Sequence, residues 1–370
     1  MDQDKRNPPG LPPRLGPAAL AIRLGAIGLA TLCLAGAFAY TGGWLTPERL
    51  SPHRVVDGFE ATSGRHIGFR RNHAKGVCAT GWFDASGDGA PFSRADLLKP
   101  GHYPVTGRFA FAGGMPYVSD GPALVRSLAL QIKPPGGEEW RVAMIDIPVF
   151  PVADADTFYA QMMTRVPDPR TGKPDPEKMK AFAAAHPEVL TAMGIVGKRR
   201  QSSGFANTTY NGLNTFLFVN RDGASAPVRW SFVPEQAFAP VGPQQADKNY
   251  LLDALIADAA RPLKWKVIVT IGNPDDPVRP DLPWPEGRKQ VDIGTVTLDT
   301  LASEDSAGGS CTDITFDPTV LPAGIRVSAD GIPSARSAAY ARSFQLREHE
   351  RGAKPPSAIT ESDVKAGGKS

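Results

Sequence analysis

Hydrophobic and polar positions along the chain fall into three regimes. Residues 24–45 contain no charged side chain, so a helix there would be apolar on every face, and the run is long enough to cross a bilayer. From about residue 76 the pattern turns to alternation bounded by turn residues. It predicts strands at 76–83, 104–112, 126–133, 139–148, 209–219, 226–233, 263–271 and 290–297. Pro134-Pro135-Gly136-Gly137 and Asn220-Arg221-Asp222-Gly223 read as hairpin turns. Helices are expected from Ser93, where Ser-Arg-Ala-Asp makes a capping box, and from Asp175-Pro176, an N-cap followed by proline; two more cover 156–166 and 249–259. Eight mostly consecutive strands with helices between them predict an eight-stranded antiparallel β-barrel in an α+β architecture. The third regime, after Arg347, is a Lys/Glu-rich tail expected to be mobile.

Composition adds constraints. With 41 Lys and Arg against 38 Asp and Glu, the net charge of +3 is too small and too evenly spread for a nucleic-acid partner. The 38 glycines and 36 prolines favour short elements joined by turns over a helical bundle. Residues 1–23 are polar and carry Lys5, Arg6, Arg14 and Arg23, so the positive-inside rule predicts a cytoplasmic N-terminal segment, one transmembrane anchor at 24–45, and a translocated domain over 46–347, followed by the tail at 348–370. The rival reading is a cleaved signal peptide ending near Ala37-Phe38-Ala39. The run exceeds an ordinary signal core and continues through Trp44, an interfacial residue type, which favours a retained anchor. Cys33 falls inside the apolar run, leaving Cys78 and Cys311 as a disulfide or as two buried thiols. No Cys-x-x-Cys or Cys/His spacing suggests zinc. The basic Lys198-Arg199-Arg200 run reads as a solvated loop.

Candidate chemistry gathers at two places. Phe69-Arg70-Arg71-Asn72-His73-Ala74-Lys75-Gly76 sets a histidine at the mouth of a strand with a cation three residues upstream, and Arg336-Ser337-Ala338-Ala339-Tyr340 sets a guanidinium and a phenol at i and i+4, on one helix face. Ahead of the second lies Phe316-Asp317-Pro318-Thr319-Val320-Leu321-Pro322-Ala323-Gly324-Ile325.

In this order and spacing the three segments resemble the catalase superfamily of haem enzymes, and the closer likeness is to the small catalase-related peroxidases. The resemblance covers about 46–347 and implies haem b, with Tyr340 as its axial phenolate ligand beside the Arg336 cation. It implies that His73 shuttles a proton between the oxygens of the peroxide. Arg70, Arg108 and Arg347 match arginines that bind the haem propionates, a task suited to bidentate guanidinium groups. Phe158, following Pro148-Val149-Phe150, matches an aromatic that stacks on the haem. Alternation in 105–112 puts Thr106, Arg108, Ala110 and Ala112 on one face, which agrees with a haem on that side.

Two positions depart from the family. Ala110 stands where family members have a distal serine, and Ile145, followed by Asp146, where they have a distal asparagine. The function implied is reduction of hydrogen peroxide by an unidentified organic donor, with weak catalase turnover, on the periplasmic side of a cell membrane. Rearrangement of a lipid hydroperoxide and a non-catalytic haem-binding scaffold are the alternatives.

Overall fold

Ten strands account for the observed architecture, and all pair antiparallel: β1 (Gly76–Ala85), β2 (Gly101–Phe111), β3 (Arg126–Ile132), β4 (Trp140–Ile145), β5 (Tyr210–Asn211), β6 (Phe216–Val219), β7 (Ser225–Pro234), β8 (Leu263–Ile271), β9 (Lys289–Ala302) and β10 (Ile325–Val327). The structure is a computed structural model describing residues 16–42, 45–46, 49–307, 311–350, 352 and 356–367. It falls into two units, Met1–Ser51 and Pro52–Ser370.

In the first unit, α1 (Pro17–Thr41) buries none of its side chains. At 1.5 Å per residue its 25 residues span about 38 Å, more than the roughly 30 Å hydrocarbon core of a bilayer. The helix begins earlier than the expected run because Pro17 at its first turn starts it and Ala18, Ala19 and Leu20 extend it. Trp44 and residues 1–15 lie outside the described residues.

In the second unit, strand order β7-β5-β4-β3-β2-β1-β9-β8, with β8 returning to β7, closes an eight-stranded ring, and β6 and β10 extend from it. The barrel interior is filled: Phe109, Trp140, Phe205, Phe232 and Trp265 are fully buried there with Val77, Leu128 and Val142. Truncating any of these aromatics would cost about 3–5 kcal/mol. A filled interior pushes chemistry to the outside of the wall. On β2–β4 the outward positions Arg108, Ala110, Ala129, Ala143 and Ile145 alternate with the core, as the period of two requires.

Several expectations are corrected. The strand expected over 209–219 is two, β5 and β6, because Leu213 sits at φ 60, a left-handed conformation that breaks the ladder. No full helix starts at Ser93, only a 3₁₀ turn over Asp96–Leu98; the Ser93 hydroxyl accepts from Ala95 N and donates to Gly324 O, and Pro100 follows. No helix is expected between the anchor and the first strand, yet α2 (Pro52–Ser63) forms there and packs against α3 (Ala155–Met163) and α7 (Gly331–Glu350). Between α3 and α7 lie α4 (Pro176–Ala185), α5 (Pro187–Gly197) and α6 (Tyr250–Asp258). The tail is held where it is described: Ile359 is fully buried, its carbonyl accepts from Ser303 Oγ at 2.6 Å, and α8 (Glu361–Gly367) packs on α6 and β9. Both expected hairpin turns are present, with Gly136 and Gly223 at positive φ.

Candidate active site

A cavity of about 570 Å³ lies against the outer face of β2–β4, roofed by α2, α3 and α7. Its lining includes His73, Arg70, Arg108, Ala110, Ile145, Phe158, Arg336, Tyr340 and Arg347, together with Ser127. Asp146 is not part of the lining. Its carboxylate accepts from Arg126 N at 3.1 Å and its own N–H donates to Arg126 O, so β4 keeps its alternation and turns Asp146 away. Burial pushes the Asp146 carboxyl above its ordinary range, against the pull of Arg126 and Arg199.

His73 is held in an uncommon backbone state, φ 56, of the kind that costs on the order of 1–3 kcal/mol and persists where surroundings enforce it. Asn72 Oδ1 accepts from His73 N at 3.0 Å and from Gly113 N at 2.7 Å, while Arg108 Nη1 donates to His73 O at 2.6 Å. Gly76 explains the end of the motif: a Cβ there would lie 2.2 Å from Phe109 O and 2.9 Å from Arg108 Cζ, so only glycine lets the guanidinium pass beneath the histidine loop. The ring itself contacts Ser127, whose Oγ is 3.0 Å from Nδ1. Burial, and then the nearby Arg108, Arg336 and Arg70, push the His73 imidazole down from 6.5 to about 3. It is therefore neutral, with one nitrogen able to accept a proton.

Helix α7 supplies the facing wall. Arg336, Ala339, Tyr340, Ser343, Phe344 and Arg347 follow the i, i+3, i+4 rhythm and all line the cavity. Arg336 Nη2 donates to Tyr340 Oη at 3.0 Å, and its Nη1 donates to Asn214 Oδ1 at 3.2 Å. Asn214 in turn donates to Asp330 at 2.8 Å, whose other oxygen caps the start of α7. The break at Leu213 is what turns Asn214 toward Arg336.

At one end of the cavity three buried guanidinium groups crowd together. Arg108 Nη2 donates to Glu304 Oε2 at 2.7 Å, Arg70 Nε to Glu304 Oε1 at 3.4 Å, and Arg347 Nη1 to Thr312 O at 3.0 Å. Burial alone would raise the Glu304 carboxyl, but Arg108 and Arg70 hold it below its ordinary range. Two cations, Arg70 and Arg108, share that one carboxylate, with the Arg347 guanidinium close by. Burial, with Arg347 and Arg108, accordingly pushes Arg70 from 12.5 down to about 9. Among the described residues Arg108 Nε has no hydrogen-bond partner. Among the described residues no Asp or Glu lines the cavity. The Cys78–Cys311 disulfide, one of the two alternatives left open by the sequence, ties β1 to the segment whose Cys311, Thr312 and Ile314 carbonyls receive Arg70.

The remaining walls are apolar and slab-like, with small Ala110, Ala129 and Ala143 on the barrel side and Phe150, Phe158, Phe316 and Phe344 around them. Phe158 stacks on Phe150, ring centroids 5.8 Å apart. Sequence reasoning missed Ser127, Glu304, Asn72 and Asn214. Ser127 alone left a usable signal, as the polar residue beside Arg126 at the start of an expected strand.

The sequence profile of the Catalase family matches residues 43–349. The chain belongs to the catalase family. Among curated relatives, a catalase-related peroxidase from Synechococcus elongatus is 37% identical over 334 residues, covering 89% of this chain and 95% of that protein. Another from Mycolicibacterium paratuberculosis is 29% identical over 314 residues, covering 83% and 98%. Among solved structures, a bacterial catalase aligns with a TM-score of 0.66 at 20% identity, over 76% of this chain and 58% of that one. Catalase A from Saccharomyces cerevisiae gives 0.66 at 17%, over 76% and 62%. The chain thus spans about three fifths of those larger catalases and nearly all of its peroxidase relatives, which agrees with the eight-stranded barrel found here.

Proposed function

We propose that the cavity binds haem b and that the protein is a peroxidase, reducing hydrogen peroxide at the expense of an organic donor. The observation that carries this reading is the cluster of three buried guanidinium groups at one end of the cavity, beside an apolar slab, with a phenol and a neutral imidazole on the walls of the same cavity. A flat macrocycle bearing two carboxylates matches that set: Arg70, Arg108 and Arg347 would receive the propionates, Arg108 Nε gaining the partner it lacks. Tyr340 would hold the iron, with Arg336 donating to the same oxygen. Two of the three cysteines are joined to each other and the third lies in α1, which supports non-covalent attachment. Bound haem supplies the redox change, giving two electrons to peroxide and recovering them from the donor.

The chain's own residues do the rest. His73 takes the proton of one peroxide oxygen and returns it to the other, which leaves as water; being neutral and buried, it can do so without first shedding a proton to solvent. Ile145 and the alanines keep the pocket dry, so that the proton has no competing acceptor. The disulfide supports an oxidising compartment, and α1 supports an anchor, so we assign the domain to the extracytoplasmic side of a membrane.

The test is spectroscopic. Full-length protein should show a Soret band, one haem per chain, and peroxide-dependent oxidation of a donor dye. Tyr340→Phe keeps the ring and removes the ligand oxygen, and should lose most of the haem complement. A normal complement with an unchanged spectrum in that variant would falsify the axial assignment. Product from a fatty-acid hydroperoxide with no dye oxidation would instead support the rearrangement reading.

A further inference from the structure

A proton shuttle works when one ring nitrogen of the imidazole is bare and the other is protonated, and the partner of the second nitrogen decides which is which. For His73 that partner is Ser127 Oγ, 3.0 Å from Nδ1. Ser127 has a single hydroxyl proton. The Ala110 carbonyl, 3.0 Å from the same oxygen, can only accept, and so takes that proton. The lone pairs of Oγ are left facing the ring, which gives Nδ1 the role of donor.

The placement is set by the sheet. Ser127 on β3 lies directly opposite Ala110 on β2, is 6% exposed, and next pairs with Ile145 on β4. The charged groups that act on the ring, Arg108, Arg336 and Arg70, are all cations and only donate; besides Ser127 the acceptor near the ring is the Phe111 backbone carbonyl, and the tautomer measured below decides between the two. Ala110 is the position at which the sequence departs from the family's serine, so the hydroxyl missing from β2 is present one strand away, on the residue that faces it.

We propose that Ser127 is the positioning residue of the site, fixing His73 as the Nδ1–H tautomer through an Ala110 C=O···H–Oγ···H–Nδ1 chain and leaving Nε2 to exchange the proton of the substrate. The assignment rests on the peroxidase reading given above. It changes the meaning of Ala110, which marks a relocated hydroxyl and not a lost one.

The experiment reads the ring directly. Nitrogen NMR of histidine-labelled full-length chain is recorded without porphyrin and with gallium protoporphyrin, a diamagnetic stand-in that undergoes no peroxide chemistry. Wild type should carry its His73 proton on Nδ1. In Ser127→Ala the proton should move to Nε2 in at least half of the molecules, and kcat/KM for donor oxidation by the haem-loaded protein should fall about 10- to 100-fold, the usual effect of removing a hydrogen-bond partner behind a working imidazole. Moving the hydroxyl back across the pair, in Ala110→Ser with Ser127→Ala, should restore the Nδ1–H tautomer. The proposal is overturned if wild type holds the proton on Nε2, if Ser127→Ala leaves tautomer and rate within twofold, or if the double variant stays at the level of the single one. A chain that takes up no porphyrin overturns the peroxidase reading instead, and the porphyrin-free spectra then decide the role of Ser127 by themselves.

Discussion

At Ile145 the cavity presents an alkyl side chain between Ser127 on one side and Asn211 on the other, and an alkyl group donates no hydrogen bond to a peroxide whose charge is shifting between its oxygens. One preorganised donor in a dry site is worth on the order of 10² to 10³ in rate. Ile145→Asn is therefore expected to raise oxygen evolution from hydrogen peroxide at least tenfold, read with an oxygen electrode. Asp146→Asn should leave it within about threefold, because that side chain is engaged with the backbone of Arg126 outside the cavity. A wild type that already evolves oxygen as fast as the Ile145→Asn variant, or an Asp146→Asn that is the damaging change, would overturn this account of the pocket. The strained His73 backbone belongs to the same scale: Asn72, Gly113 and Arg108 hold it, and the alternation that places Arg108 and Ala110 on one face was readable before any coordinates.

Among the elements, β1 and α7 carry the site and one covalent link stiffens the end where the charges gather. Cys78 on β1 joins Cys311, closing a separation of 233 residues, and Cys311 and the residue after it offer carbonyls that hold Arg70 and Arg347. Loss of a native disulfide costs about 2–5 kcal/mol. Replacing both cysteines by alanine should lower Tm by about 5–10 °C in a scanning calorimeter. It should also loosen porphyrin binding severalfold, since Arg70 and Arg347 then lose their fixed acceptors; a lowered Tm with unchanged porphyrin affinity would confine the disulfide to stability. Helix α7 was legible from Arg336 and Tyr340 at i and i+4. Helix α2 was not, because its Val55, Val56 and Phe59 form too short an apolar stripe to stand out from a linker, and they become a roof by packing against α3 and α7.

Over the whole chain, an apolar helix precedes a domain that contains a disulfide; Lys5, Arg6 and Arg14 lie on the helix's N-terminal side, and Arg23 lies within its first two turns. The proposed single-pass topology with the domain outside rests on the positive-inside rule. An alkaline phosphatase fusion after Ser370 should be active and a cytoplasm-dependent reporter at the same position silent; the reverse result would invert the topology. A mature form that is soluble after cell breakage would show that the helix is removed.

What the sequence determined by itself is the set of local patterns. A period of two marks strands, i and i+4 marks a helix face, a charge-free run marks a span, and short motifs mark the histidine and the phenol. These predict the eight-stranded barrel and, together with the family resemblance, they point to His73, Arg70, Arg108, Phe158, Arg336, Tyr340 and Arg347, all of which line one cavity. Only the tertiary structure decided the pairings between distant segments. The register of β2 on β3 cannot be read from a turn, since residues 112–125 intervene, yet that register alone sets Ser127 against Ala110 and beneath His73. Glu304 reaches Arg108 and Arg70 only because β9 lies beside β1 in the closed sheet, so the buried charge balance of the site is a property of the folded chain.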